Sequence, residues 1–210
     1  VINWVVFDLG DVVVLRTNAL PQLADLLGAQ PGSFADAYWA YRREYDLSND
    51  AAAFFTAVAA RAGALVPAEG LRTEPQLAES LLAELVRQDD LGWNVVDAHT
   101  MQLINDLQAA GIRLALLSNA PSSMGRLVEQ DRWTKDFEHL LFSGDLGISK
   151  PGAQIYRTLL DTLGADPPEV AFLDDRLDNI TGARQAGIAG CLFTDAAQAR
   201  LDLRGLGLAL

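Results

Sequence analysis

Cysteine is nearly absent from this chain of 210 residues: Cys191 stands alone, which excludes an internal disulfide and makes a reducing compartment the expectation. Cys191 itself reads as a small buried hydrophobe of a strand. Histidine occurs only at His99, before a helix, and at His139, at the start of a strand; neither is assigned a catalytic role. The only lysines are Lys135 and Lys150, so arginine supplies nearly all the positive charge. No apolar run is long enough to span a bilayer. No leader pattern precedes the first strand, and a cytoplasmic location is expected. Acidic residues outnumber basic ones, 28 to 16, for a net charge of −12. Such a surface repels nucleic acid and anionic membranes, which excludes both as partners and leaves a small soluble molecule. An anionic substrate must then be met by local positive groups. What is present is an ordinary globular composition, half hydrophobic, sufficient for one large domain or a core with a small accessory domain.

Five short apolar runs read as buried parallel strands: Trp4–Phe7, Arg113–Leu117, His139–Phe142, Val170–Leu173 and Gly190–Phe193. Between the later runs, helical stretches at Ala98–Ala110, Ala153–Leu163 and Asn179–Ala186 stop at Gly111, Gly164 and Gly187, where a helix end admits a left-handed residue. Strand alternating with helix predicts an α/β fold, an open, mostly parallel sheet with helices on both faces. The stretch from Leu20 to Asp90 breaks this rhythm. It holds four helical segments, Leu20–Leu27, Ser33–Tyr45, Asp50–Ala62 and Glu74–Gln88, and reads as a helical bundle inserted between the first strand and the rest of the sheet.

Ligands of such sheets bind beyond the carboxyl ends of the strands. Asp8, Gly10 and Asp11 follow the first strand, Ser118 and Asn119 the second, Ser149 and Lys150 the third, and Asp174, Asp175, Asp178 and Asn179 the fourth. Each alone has a plain structural reading: a cap for the aspartates, a turn for Ser118-Asn119, a solvated loop for Lys150. Together they describe one site drawn from four segments. Converging carboxylates raise one another's pKa unless a cation intervenes. Oxygen donors without His or Cys suit Mg²⁺ rather than Zn²⁺. Lys150, the Ser118 hydroxyl and the Asn119 amide add positive charge and donors able to bind a tetrahedral dianion and stabilise its charge during transfer. A carboxylate at the position of Asp8 can attack phosphorus and form an aspartyl-phosphate.

The segments VFDLGDVVV, LALLSNA, SKPGAQIY and FLDDRLDNI resemble, in order and spacing, the four motifs of the haloacid dehalogenase (HAD) superfamily of hydrolases. The resemblance implies a core from residues 1–15 and 97–210 and an α-helical cap from residues 16–96. It implies Asp8 as nucleophile and metal ligand, the Gly10 carbonyl as a second ligand, Asp175 as the direct ligand of the fourth motif and Asp174 behind it. Ser118 and Asn119 hold the phosphate or position the loop, and Lys150 neutralises Asp8 and the phosphoryl group. The expected activity is that of a Mg²⁺-dependent phosphatase acting on a small phosphorylated metabolite, a sugar phosphate among the candidates.

The chain departs from the family pattern at Gly10, where many phosphatases carry a second Asp that protonates the leaving group. Three outcomes follow: a phosphatase using water, substrate or Asp11 for proton transfer; one acting on good leaving groups; or a catalytically weak protein that mainly binds. The same fold supports metal-independent 2-haloacid dehalogenation, in which Asp8 attacks carbon, but Asp174 and Asp175 beside Asp8 make little sense without a cation. In Ser33–Tyr45, the residues Phe34, Tyr38, Tyr41 and Tyr45 form a core stripe. Trp39, Arg42 and Arg43 lie off its centre, either facing the cleft, where Arg42 meets an anion and Trp39 stacks on a ring, or forming a solvated helix face.

Overall fold

The computed structural model describes residues 1–17, 19–65 and 75–210, and only the backbone of residues 75–78. The strands are β1 (Trp4–Phe7), β2 (Val14–Leu15), β3 (Val95–Val96), β4 (Arg113–Ser118), β5 (His139–Phe142), β6 (Val170–Asp174) and β7 (Ala189–Leu192). Five of them form one parallel sheet in the order β5-β4-β1-β6-β7. Alternation along β1 explains why both faces are covered. Val5 and Phe7 enter the cluster made with α5 (Ala98–Ala109), α6 (Ser122–Val128) and α10 (Ala196–Gly205), while Trp4 and Val6 enter the opposite one with α8 (Ala153–Leu163) and α9 (Leu177–Gln185). The predicted α/β fold is the observed one. The last strand lies one residue earlier than expected. β4 and β6 each run one residue further, so Ser118 and Asp174 end strands rather than begin loops.

Among the described residues, four helices follow β2: α1 (Leu20–Leu27), α2 (Pro31–Ser48), α3 (Ala51–Ala62) and α4 (Pro75–Leu91). They share a separate hydrophobic cluster around Phe34, Tyr38, Tyr45, Phe54 and Phe55. α2 is longer than the aromatic spacing suggests. Pro31 sits in its first turn, where a missing N–H is harmless, and Asn49 ends it in the left-handed conformation at φ 59°. Glu74, the expected start of the fourth helix, lies outside the described residues. The antiparallel pair β2–β3, two residues each, was not anticipated; it ties together the points where the helices leave and rejoin the sheet.

The helical insert is fastened to the sheet-forming part beside the site. Asn49 Nδ2 donates to the Gly144 carbonyl at 2.6 Å, and its Oδ1 accepts from the Ser122 amide at 2.7 Å. Next to it, the Ser143 hydroxyl donates to the Asp46 carbonyl at 2.5 Å. Gly144 is the second residue of the short helix α7 (Ser143–Leu146), and a Cβ there would lie 2.3 Å from Asn49 Oδ1. The glycine is therefore required by close approach.

Candidate active site

β1 is the central strand, and the chain switches sides of it between β5 and β6. The crevice at such a switch point opens beyond the strand ends. Asp8 leaves β1 there, its amide donating to the Leu173 carbonyl at 2.8 Å. Its Oδ1 accepts from the Leu9 amide at 2.7 Å and pairs with Lys150 Nζ at 2.8 Å. Lys150 Nζ also donates to Asp174 Oδ2 and to the Leu117 carbonyl, both at 2.7 Å. All three ammonium hydrogens are thus engaged, and the side chain is only 1% exposed.

Asn119 holds this lysine in place. Its Oδ1 accepts from the Lys150 amide and its Nδ2 donates to the Lys150 carbonyl, each at 2.9 Å. Asn119 therefore positions the lysine loop, and both it and Ser118 line the cavity above. Asp174 is fully buried and saturated: besides Lys150, it accepts from the Arg176 amide at 2.9 Å and from Asn179 Nδ2 at 2.9 and 3.0 Å. The spacing Asp175-x-x-x-Asn179 was visible in the sequence, but the clamp of Asn179 on Asp174 was not.

Carboxylate oxygens of Asp8, Asp174 and Asp175 all lie within 4.8 Å of one another. Burial, with the nearby charge of Asp174, raises Asp8 to about 7 against the pull of Lys150. Burial and the charges of Asp174 and Asp11 also raise Asp175. Burial disfavours the Lys150 charge, but Asp8 and Asp174 outweigh it and hold the ammonium above its ordinary range. With all three carboxylates ionised, the one ammonium leaves two negative charges uncompensated, which a divalent cation in place of bound protons matches. The donor set is oxygen alone, as a hard ion requires. Because Asp174 is saturated, Asp8 and Asp175 are the carboxylates with capacity left to hold one.

A cavity of about 480 Å³ opens over these residues and is closed on the far side by the helical insert. Trp39, 41% exposed, and Arg43 reach it from α2. Arg42 also lines it but is neither solvated nor a free guanidinium. Its Nε pairs with Asp46 at 2.6 Å, its Nη1 with Asp89 at 2.9 Å, and it contacts the Tyr38 hydroxyl. The expectation that Arg42 lies off the buried stripe is corrected. The stripe runs Phe34-Tyr38-Arg42-Tyr45, and Tyr41 falls to its edge.

Trp93 and Arg16 are among the cavity residues that escaped the sequence reading. Trp93, between α4 and β3, lies against Gly10: a Cβ on Gly10 would be 2.8 Å from its Cζ3. Arg16 stacks over Trp39 and Trp93, its guanidinium carbon 5.1 and 5.6 Å from their ring centroids, and pairs with Asp11 at 2.9 Å. Asp11 occupies a tight turn at φ 57°. No spacing rule connects residues so far apart; the aromatic residue just where the insert rejoins the sheet was the only signal.

The profile of the haloacid dehalogenase-like hydrolase family matches residues 2–187. The chain is 26% identical over 111 residues, 52% of its length, to the sesquiterpene phosphatase astK of Aspergillus oryzae. It spans 57% of that protein and 13% of the bifunctional epoxide hydrolase 2 of Rattus norvegicus, to which it is 43% identical over 70 residues. By fold it is similar to a HAD family enzyme of Bacteroides thetaiotaomicron in complex with magnesium and inorganic phosphate, with a TM-score of 0.64 and 18% identity over 91% of this chain and 94% of the other. It is also similar to the L-2-haloacid dehalogenase of Xanthobacter autotrophicus with chloropropionic acid covalently bound, with a TM-score of 0.68 and 21% identity over 100% of this chain and 85% of the other. At these identities the two structures bear on the fold alone. The profile spans the strand ends that build the site, and the chain belongs to the haloacid dehalogenase-like hydrolases.

Proposed function

We propose that the protein is a Mg²⁺-dependent phosphatase that hydrolyses a small soluble phosphomonoester through an aspartyl-phosphate on Asp8. The observation that carries this reading is the meeting of three carboxylates within 4.8 Å around a lysine that neutralises only one of them. A metal-independent dehalogenase has no use for the two surplus charges. The similarity to a phosphatase supports the same reading.

Asp8, Asp175 and the Gly10 carbonyl would hold the ion, with Asp174 behind them. When bound, Mg²⁺ supplies charge neutralisation for the phosphoryl oxygens. Asp8 Oδ1 is fixed by Leu9 and Lys150, so the carboxylate is oriented before the substrate arrives and Oδ2 remains for attack on phosphorus. Lys150 counters the charge developing between Asp8 and the phosphoryl group. The Ser118 hydroxyl is placed as a donor to a phosphoryl oxygen, and Asn119 acts through Lys150. The helical insert, acting as a cap, excludes bulk water from the cavity. The net charge of −12 makes a small metabolite in the cytoplasm a better partner than nucleic acid or a membrane. No helix among the described residues is long and apolar enough to cross a membrane.

The test is phosphate release from a generic aryl phosphate with Mg²⁺, with EDTA, and with Asp8→Asn. Release that needs the metal and vanishes in the variant is expected. Chloride release from a 2-haloacid without metal overturns the reading in favour of a dehalogenase. Silence across a broad phosphorylated panel leaves a binding protein on a hydrolase fold.

A further inference from the structure

Resting on the phosphatase reading, we propose that Trp93 fills the place of a leaving-group acid, so that the enzyme acts on phosphates whose leaving group departs as a stable anion: acyl, enol or acidic aryl phosphates rather than alkyl phosphates. The absence of a carboxyl at Gly10 is enforced by packing. A Cβ there would lie 2.8 Å from Trp93 Cζ3 and 3.2 Å from Cε3. The ring lies edge-on to Trp39, with centroids 6.4 Å apart, beneath the Arg16 guanidinium, so a side chain on Gly10 would have to displace it from both.

The other carboxylates of the cavity are already engaged by cations. Besides Asp8 and Asp175, the carboxylates lining the cavity are Asp11, Asp46 and Asp178. Each is ion-paired: Asp11 with Arg16 at 2.9 Å, Asp46 with Arg42 at 2.6 Å and Asp178 with Arg176 at 3.3 Å. No histidine lines the cavity among the described residues. Arg43 lines it without an ion pair among them, a cation suited to a departing anion rather than a source of protons.

The chemistry balances without an acid. An Asp8 oxygen forms a bond to phosphorus, and the bond from phosphorus to the leaving oxygen breaks. The electron pair stays on that oxygen, which departs unprotonated as a carboxylate, enolate or phenolate. Water then adds to phosphorus and the Asp8–phosphorus bond breaks. The carboxylate is restored, and both hydrogens of the water leave on dihydrogen phosphate. An alkoxide is too basic to leave in this way, and the acid that would protonate it has no space.

The experiment is kcat/KM for a series of aryl phosphates running from acidic nitrophenols to phenol itself, with an alkyl phosphate at the end, on the Mg²⁺-loaded wild-type chain. A steep fall along the series is expected, about 10²–10⁴-fold overall, the size of the missing acid catalysis. A flat series overturns the proposal while leaving the phosphatase reading intact. No release from even the most acidic member overturns the phosphatase reading, and this inference with it. Asp46 is the internal rival, because burial raises it to about 6. A shallow series that becomes steep in Asp46→Asn would assign it as the acid and defeat the role given to Trp93. As a gain-of-function check, Gly10→Asp combined with Trp93→Ala should flatten the series.

Discussion

Lys150 has three hydrogens and three acceptors: two carboxylates and a strand carbonyl. Methionine in its place keeps the stem but leaves Asp8 and Asp174 to repel each other. Lys150→Met is expected to lower kcat by about 10²–10³-fold, the loss seen when one charge-stabilising donor is removed. The measurement is single-turnover phosphate release at saturating substrate, checked against far-UV circular dichroism to confirm the fold. The lysine, Asp8 and the Asp174-Asp175 pair were legible because each follows a buried apolar run, and a charge in that position needs a reason. Trp93 and Arg16 were illegible because their meaning lies in a contact. A tryptophan is a hydrophobe like any other until its ring is found in the space a Gly10 side chain would need.

At the scale of elements, α2 carries two loads that its sequence disguised. Arg42 reads as one more charged helix residue, yet it lies between Asp46 and Asp89 with its side chain 8% exposed. Truncating it strands two buried carboxylates, so Arg42→Ala is expected to destabilise the fold by about 3–5 kcal/mol in urea unfolding. The aromatic stripe was readable from its spacing. The burial of a guanidinium beside it was not, because the compensating Asp89 comes from another helix. The far end of α2 is Asn49, whose conformation and side chain can be separated experimentally. Asn49→Gly keeps the left-handed turn at little cost and removes both hydrogen bonds to Gly144 and Ser122, whereas Asn49→Ala removes the bonds and strains the turn. If the side chain fastens the insert, both variants speed amide hydrogen exchange at the end of α2. If only the turn matters, Asn49→Gly exchanges like the wild type. The two-residue strands that close the neck of the insert had no periodicity to betray them, since a pattern needs more residues than they contain.

For the molecule as a whole, the excess of acid over base sets how stability responds to pH. Asp90, at the end of α4, is 7% exposed, and burial with the neighbouring Asp89 raises it to about 7. In the unfolded chain an aspartate titrates near 3.9. Between these values the folded protein binds the extra proton, so this group weakens the fold progressively as pH rises from about 4 to 7 and has no effect below that window. Asp90→Asn keeps the oxygen that accepts from Ser123 Oγ at 3.2 Å and removes the charge. It should raise Tm at pH 8 by roughly 2–4 °C for each kcal/mol recovered, with the gain disappearing near pH 4. Calorimetry of the two proteins across that range is the check.

The sheet's order also governs how the chain acquires its shape. Trp4–Phe7 comes first among the five strands yet ends in the middle, bonded to Arg113–Leu116 on one side and Val170–Leu173 on the other. During synthesis this greasy ribbon waits for both neighbours while most of the polypeptide is still being made. A nascent chain halted before Val170 carries a naked hydrogen-bonding edge, ready to pair with a stranger.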